Sequence, residues 1–311
     1  MASNGTPHPK ELAHKPLADG MYFGESPRYH DGQLYISDMT GRTIYTIDAA
    51  TGQKSVLVEV ENQPNGMCFT DDGALIYSSM FDAKLYRYKD GEHALYSDMS
   101  AVMTGYCGDM AIDAAGRVYM DDTGARVLHG EPPKPGRMLL VGTDGKVSIA
   151  ADSIIFPNAC MISPDGRALY VGETFGCGLL RYDIDPATGA LSNRQQAWAP
   201  SALTGKTDDD PRVSMIGIDG GCMDAEGGLW LSMLGLEQWV RLDPQGNVTH
   251  RIRTEGHATA CSLGGEDGKT LFLVTNWVPE GENLFKAMVA KRTRCTVSTA
   301  RVEIGRGAAR P

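Results

Sequence analysis

Residues 157–173 read PNACMISPDGRALYVGE: a short strand of small and apolar residues, a turn at Asp165-Gly166, and a second strand carrying Tyr170. Asp-Gly between two such runs signals a hairpin, because glycine takes the positive φ that a tight turn requires. The unit recurs along the chain. Its turn glycines are Gly32, Gly73, Gly116, Gly166, Gly227 and Gly268, followed in order by Tyr35, Tyr77, Tyr119, Tyr170, Trp230 and Phe272. The steps between these glycines are 41, 43, 50, 61 and 41 residues. Ahead of every turn but the more divergent first lie NGMCFT, GDMAID, NACMIS, DGGCMD and TACSLG; behind come second hairpins such as KLYRYK-DG-EHALYS. A period of about 40–50 residues with two hairpins per unit is that of a four-stranded propeller blade. The prediction is an all-β chain, a six-bladed β-propeller with four-stranded antiparallel blades. No window carries a clean helical period.

A blade cannot bury both faces alone, so the six must stack into a ring. That argues for a single propeller domain over residues 17–311, preceded by a flexible tail at 1–16. With 311 residues, 42% hydrophobic and 22% charged, the chain has the composition of a folded globular protein. Lys plus Arg total 29 against 39 Asp plus Glu, a net charge of −10. That balance argues against nucleic acid and anionic membranes as partners, since both call for a basic patch. No apolar run reaches the roughly 18 residues of a membrane span. Residues 1–15 lack the apolar core of a secretory signal. Seven cysteines without a CxxC pair argue against a disulfide framework or zinc knuckle. The expected setting is the cytoplasm, with reduced thiols, as a monomer or homodimer.

Within a blade the small, Gly-rich strand must be innermost, because six strands crowd one axis. The Asp-Gly turn then leaves on the bottom face, and each inner strand begins at the top, around the channel mouth. Those starts are Glu25, Asn65, Gly108-Asp109, Asn158, Asp219 and His257. Carboxylates and carboxamides converging on an axis, with no sulfur and little imidazole, form an oxygen cage suited to Ca²⁺, Mg²⁺ or Mn²⁺. At a single blade, an Asn or Asp that merely satisfies a turn explains the residue equally well.

The motifs GESPRYHDGQLYISD, FPNACMISPDGRALYVGET, GIDGGCMDAEGGLWLS and ATACSLGGEDGKTLFLVT, in this order and spacing, resemble the gluconolactonase, regucalcin and luciferin-regenerating-enzyme superfamily over roughly residues 20–300. The resemblance implies Glu25, Asn158 and Asp219 as ligands of one divalent ion, Ca²⁺ first, with Zn²⁺, Mn²⁺ or Mg²⁺ as alternatives. It implies a lactonase-like hydrolase acting on a small lactone or ester. The ion would polarise the carbonyl, and a carboxylate would assist the attacking water. Asp219 is the expected base and Asp109 the second candidate. Tyr106, Asp109, Thr123, His257 and Asn65 are expected to face the substrate. Two positions depart from the family pattern. Gly108 stands where many members carry Asn, leaving a contact that water or Asp109 would have to replace. Tyr106 stands where sugar-lactone members carry Arg, which exchanges a bidentate guanidinium for a stacking face and points to an aromatic or apolar lactone.

Alternatives are a phosphotriester or ether hydrolase on the same cage, or a non-catalytic Ca²⁺-binding or interaction propeller. A Ser-His-Asp triad lacks its GxSxG elbow, and no phosphate loop is present. Cys68, Cys160, Cys222 and Cys261 on inner strands read as packing residues. Asp208-Asp209-Asp210 reads as a solvated run. Two long loops, 124–136 and 201–214, are expected over the channel mouth. Met67, Met103, Met110, Met120, Met161, Met215 and Met223, at or near inner strands, are expected to soften the pocket.

Overall fold

Short alternating runs such as Lys84–Lys89, KLYRYK, place every second side chain on one face, and each becomes a strand buried against the next blade. The computed structural model describes residues 8–176, 178–200, 203 and 217–307. It forms a six-bladed β-propeller. From the axis outward, blade one is Gly24–His30, Gln33–Asp38, Thr43–Asp48 and Lys54–Glu59. Blade two is Pro64–Phe69, Leu75–Ser79, Lys84–Lys89 and Glu92–Asp98. Blade three is Met110–Ile112, Val118–Asp122, Gly136–Val141 and Val147–Ile154. Blade four is Pro157–Ile162, Ala168–Glu173, Gly178–Ile184 and Leu191–Trp198. Blade five is Ile218–Met223, Leu229–Met233, Gln238–Leu242 and Val248–Arg253. Blade six is His257–Gly264, Thr270–Trp277 and Arg294–Arg301, and its outer strand, Lys15–Met21, comes from the start of the chain.

That exchange closes the ring. Lys15–Met21 pairs antiparallel with Arg294–Arg301, and Lys10–Glu11 adds a parallel strand outside Val248–Arg253 of blade five. Residues 10–16, expected as a flexible tail, are thus partly strand. The sequence hid this because the segment has no repeat partner: it completes a unit that begins at His257, 242 residues after Lys15.

The core lies between blades. Ile44 and Val58 of blade one meet Met67, Leu75 and Tyr77 of blade two, and Ile76 and Leu85 meet Met110, Val118 and Leu139 of blade three. Each fully buried aliphatic side chain contributes roughly 1.5–3 kcal/mol, so a blade is stable only against its neighbours. Close approach at the axis requires glycine: a Cβ at Gly220 would lie 2.8 Å from the Ala260 Cβ of the next inner strand.

Five of the six inner strands share one irregularity near the top. The antiparallel register shifts between Glu25 and Arg28, Pro64 and Met67, Asn158 and Met161, Ile218 and Gly221, and Ala258 and Ala260. A bulge bends its strand and re-aims a side chain. Here it falls at or just after Glu25, Asn65, Asn158 and Asp219, and Ser26 and Ala159 take positive φ of 47° and 48° there. Blade three lacks the bulge and begins its short inner strand only at Met110.

Candidate active site

The bulges bring Glu25, Asn65, Asn158 and Asp219 to one pocket at the channel mouth. Asn158 Nδ2 donates to Asp219 Oδ1 at 2.6 Å, and Asn158 Oδ1 accepts the Ala159 N–H at 2.9 Å. Thr174, just past the second strand of blade four, buttresses this pair: its Oγ1 lies 3.5 Å from Asn158 Nδ2 and donates to the Ile218 carbonyl at 2.9 Å. Both carboxylates are buried, and no basic side chain pairs with either among the described residues. Burial, then repulsion from Asp219 and Asp109, pushes the Glu25 carboxyl well above the usual range. Burial and Asp109 push Asp219 up to about 7, against the Asn158 hydrogen bond that lowers it. Each group resists being charged beside the other.

Asp109 behaves differently. Its Oδ1 accepts from Arg28 Nη2 at 2.9 Å and its Oδ2 from the Cys160 N–H at 2.9 Å, and it is not among the residues lining the pocket. A carboxylate that is paired with a guanidinium and does not line the pocket is poorly placed to take a proton from a water there. The expectation of Asp109 as alternative base and substrate contact is therefore corrected: it ties blades one, three and four together below the site. Arg28, three residues past Glu25, supplies the cation, and it also donates to the Met110 carbonyl at 3.0 Å.

Asn65 lines the pocket, its Nδ2 3.7 and 3.8 Å from the sulfurs of Met39 and Met80. Tyr106 lines it with the hydroxyl on His129 Nδ1 at 2.5 Å and the ring 5.3 Å from Phe81. Thr123 does so too, with Oγ1 accepting the Tyr106 N–H at 2.8 Å and donating to the Ala125 carbonyl at 3.1 Å. His257 does not reach the lining; its Nδ1 lies 3.3 Å from the Leu234 carbonyl, where the start of the sixth inner strand is tethered to blade five. Asp121, near the end of the second strand of blade three and absent from the inner-strand starts, lines the pocket as well.

Two top-face connections roof the site. The 3-10 turn Val127–His129, in the long loop of blade three, brings Val127 and Leu128; the helix Leu284–Val289, between the second and third strands of blade six, brings Leu284, Phe285 and Met288. Asn283 caps that helix by accepting the Lys286 N–H at 3.2 Å. The two elements touch, and their side chains pack with Phe23, Met39, Met80 and Tyr106. Phe156 and Phe175, ring centroids 4.6 Å apart, continue the apolar wall, and Phe285 lies 6.3 Å from Phe175. The wall is thus apolar opposite the acids. Its methionines are Met39, Met80 and Met288, not those expected: Met67, Met110, Met120 and Met161 are buried on the blades, and Met110, Met161 and Met223 border a separate cavity at the other end of the channel. Cys160, Cys222 and Cys261 line that lower cavity, with the Cys222 and Cys261 sulfurs 3.8 Å apart. Burial pushes the Cys160 and Cys222 thiols up, as suits packing residues. Met215, Cys177, Asp208-Asp209-Asp210 and the 201–214 loop apart from Leu203 lie outside the described residues.

A family model, the SMP-30/Gluconolactonase/LRE-like region, matches residues 23–276. The chain belongs to that family. Among curated members, pentonolactonase XacC of Haloferax volcanii is 26% identical, with 81% of each chain covered. Chicken regucalcin is 23% identical, covering 83% of this chain and 84% of its own. Among solved structures, a calcium-binding regucalcin of Agrobacterium tumefaciens superposes with a TM-score of 0.78 at 20% identity, covering 98% of this chain and 99% of its own. A gluconolactonase of Xanthomonas campestris gives 0.70 at 20% identity, covering 92% and 89%. The family match spans all six inner strands, so the bulged starts that carry Glu25, Asn158 and Asp219 lie within it. No helix among the described residues is long and apolar enough to cross a membrane.

Proposed function

We propose that this protein is a divalent-cation-dependent lactonase whose substrate is a lactone with an apolar body. Supporting the reaction class are the family membership and relatives named pentonolactonase, sugar lactone lactonase and gluconolactonase. The observation that carries the reading is the convergence of Glu25, Asn158 and Asp219 on one buried pocket beneath an apolar roof.

The donor set fits a hard divalent cation. Two carboxylates and a carboxamide offer oxygen, and no cysteine is among the described residues that line the pocket. The mutual repulsion of Glu25 and Asp219, unrelieved by any basic side chain among the described residues, is what a bound cation would offset. Among the described residues no three His, Cys, Asp or Glu side chains form a ligand cluster by themselves, so the carboxamide of Asn158 is needed to complete the set. When bound, the ion supplies polarisation of the lactone carbonyl and stabilisation of the developing oxyanion.

The remaining steps belong to the chain. Asn158 holds Asp219 Oδ1, which orients the carboxylate and leaves Oδ2 to take a proton from the attacking water. Water oxygen bonds to the carbonyl carbon, the ring C–O bond breaks, and Asp219 returns the proton to the ring oxygen. Phe156, Phe175 and Phe285 receive the apolar part of the substrate, and Tyr106, with its hydroxyl on His129, contributes a ring edge to the same wall. The test is a panel of lactones and esters assayed with Ca²⁺, Mn²⁺, Mg²⁺ and Zn²⁺ and with chelator. Cation-dependent opening of an apolar lactone is expected; turnover unaffected by exhaustive chelation would remove the metal from the mechanism.

A further inference from the structure

Blade three is the one blade without a bulge at the top of its inner strand, and Gly108 puts no side chain there. The space is nonetheless filled. Asp121 reaches in from the adjacent strand, Val118–Asp122; its Oδ1 accepts the Gly108 N–H at 2.5 Å and its Oδ2 the Asp109 N–H at 2.8 Å. A Cβ added at Gly108 would lie 2.8 and 2.9 Å from those two oxygens. A larger residue at 108 therefore requires those oxygens to move, and the two positions are coupled. Asp121 is 1% exposed, lines the same pocket as Glu25 and Asp219, and makes no ion pair among the described residues. Asp109, beside it in sequence, does have a cation in Arg28.

Two backbone N–H groups anchor the Asp121 oxygens from one side. Each carboxylate oxygen has a further lone pair for a partner in the pocket. We propose that Asp121 is the blade-three contribution to the cation site, acting from one layer beyond Glu25, Asn158 and Asp219 and strengthening cation affinity through its charge and a bridging water. The inference rests on the cation-site reading above. A role one layer out agrees with the absence of a direct three-carboxylate cluster among the described residues. Groups at that distance commonly change metal affinity by about 10–100-fold when removed. Asp121 is thus a positioning residue, with Gly108 as the condition for its presence.

The experiment is calorimetric titration of the purified full chain with Ca²⁺ alone, repeated with Mn²⁺, with melting curves of the chelated proteins alongside. The variants are Asp121→Asn, Gly108→Ala and Glu25→Gln. Asp121→Asn is expected to weaken cation binding by about tenfold or more while leaving one site per chain. Gly108→Ala, which keeps the carboxylate in the chain but requires its oxygens to move, is expected to weaken binding in the same direction and serves if Asp121→Asn does not fold. Folded variants at 121 and 108 that bind as tightly as the parent, while Glu25→Gln binds more weakly, would overturn this proposal and leave the cation site standing. A parent protein that takes up neither ion would overturn both.

Discussion

The two ends of the propeller use the same acid differently. At the bottom, Asp165 accepts the Ser163 hydroxyl at 2.6 Å and the Arg167 N–H at 3.1 Å, and Asp267 accepts the Lys269 N–H and pairs with Arg301. These hydrogen bonds hold both carboxyls below their usual range. Such aspartates favour their ionised form and stabilise turns. At the top, Glu25, Asp121 and Asp219 are buried without cationic partners among the described residues, and burial pushes all three up. The turn acids stabilise the fold as charged groups, whereas the channel acids are held where ionisation is costly, which is the arrangement that the proposed cation would relieve. The contrast separates site from scaffold more sharply than residue type does, since both ends are aspartate-rich.

The largest expected effect follows from moving one acid out of its class. Asp219→Asn keeps an oxygen for the cation but removes the proton acceptor, so kcat should fall by about 10²–10⁴-fold and added metal should not restore it. Glu25→Gln should instead raise the metal concentration needed for activity and be partly rescued by excess. Equal rescue of both would reduce Asp219 to a ligand. In contrast, Asp267→Asn at the bottom should leave kcat unchanged.

Asp109 sharpens the comparison, because it lies in the channel yet owns a cation. Arg28 and Asp109 have side chains only 10% and 7% exposed. Arg28→Met would leave a buried carboxylate unpaired, a loss of about 3–5 kcal/mol by urea denaturation. A loss below about 1 kcal/mol would mean that Asp109 is held mainly by the Cys160 N–H.

What could be read from the sequence divides along the same line. Glu25, Asn65, Asn158 and Asp219 were legible as channel-mouth residues because the repeat aligns the six inner strands, whereas only the family resemblance singled out Glu25, Asn158 and Asp219 among them. Asp121 was not legible, since it comes from a second strand, VYMDD, where an acid at the strand end looks like an edge residue. Gly108 was read as a lost contact because the slot it opens exists only in three dimensions. The roof helix was invisible for another reason: at six residues, LFKAMV is too short to show a helical period. Asp109 was legible as a channel residue but not as a paired one, because Arg28 meets it across 81 positions.

Specificity gives a smaller effect. With Phe156, Phe175, Phe285 and Tyr106 on the pocket wall, an aromatic or otherwise apolar lactone should exceed glucono-1,5-lactone in kcat/KM by about tenfold, or about 1.4 kcal/mol. Phe285→Ala should narrow the gap. A tenfold preference for the sugar lactone would contradict the role given to the wall.

The smallest effect concerns pH. Between the unfolded carboxylate pKa of about 4 and the folded value of about 7 for Asp219, the native protein holds protons that the unfolded chain has released. Stability from this group therefore falls as pH rises through that window. Chelated protein should melt higher at about pH 5.5 than at about pH 7.5, and saturating Ca²⁺ should narrow the difference. The bottom aspartates, with lowered values, act only as pH falls below about 4, so they do not mask the trend. A melting temperature that rises with pH across this window in chelator would run against the contrast between the two ends.

The central claim is that the top-face acids hold one divalent cation on the channel axis. Its most direct test is a crystal structure grown with excess Mn²⁺, with anomalous scattering used to locate the ion. The account predicts a single axial peak within about 2.0–2.6 Å of oxygens from Glu25, Asn158 and Asp219. An axis without anomalous density at saturating Mn²⁺, with ions bound only elsewhere, would contradict it.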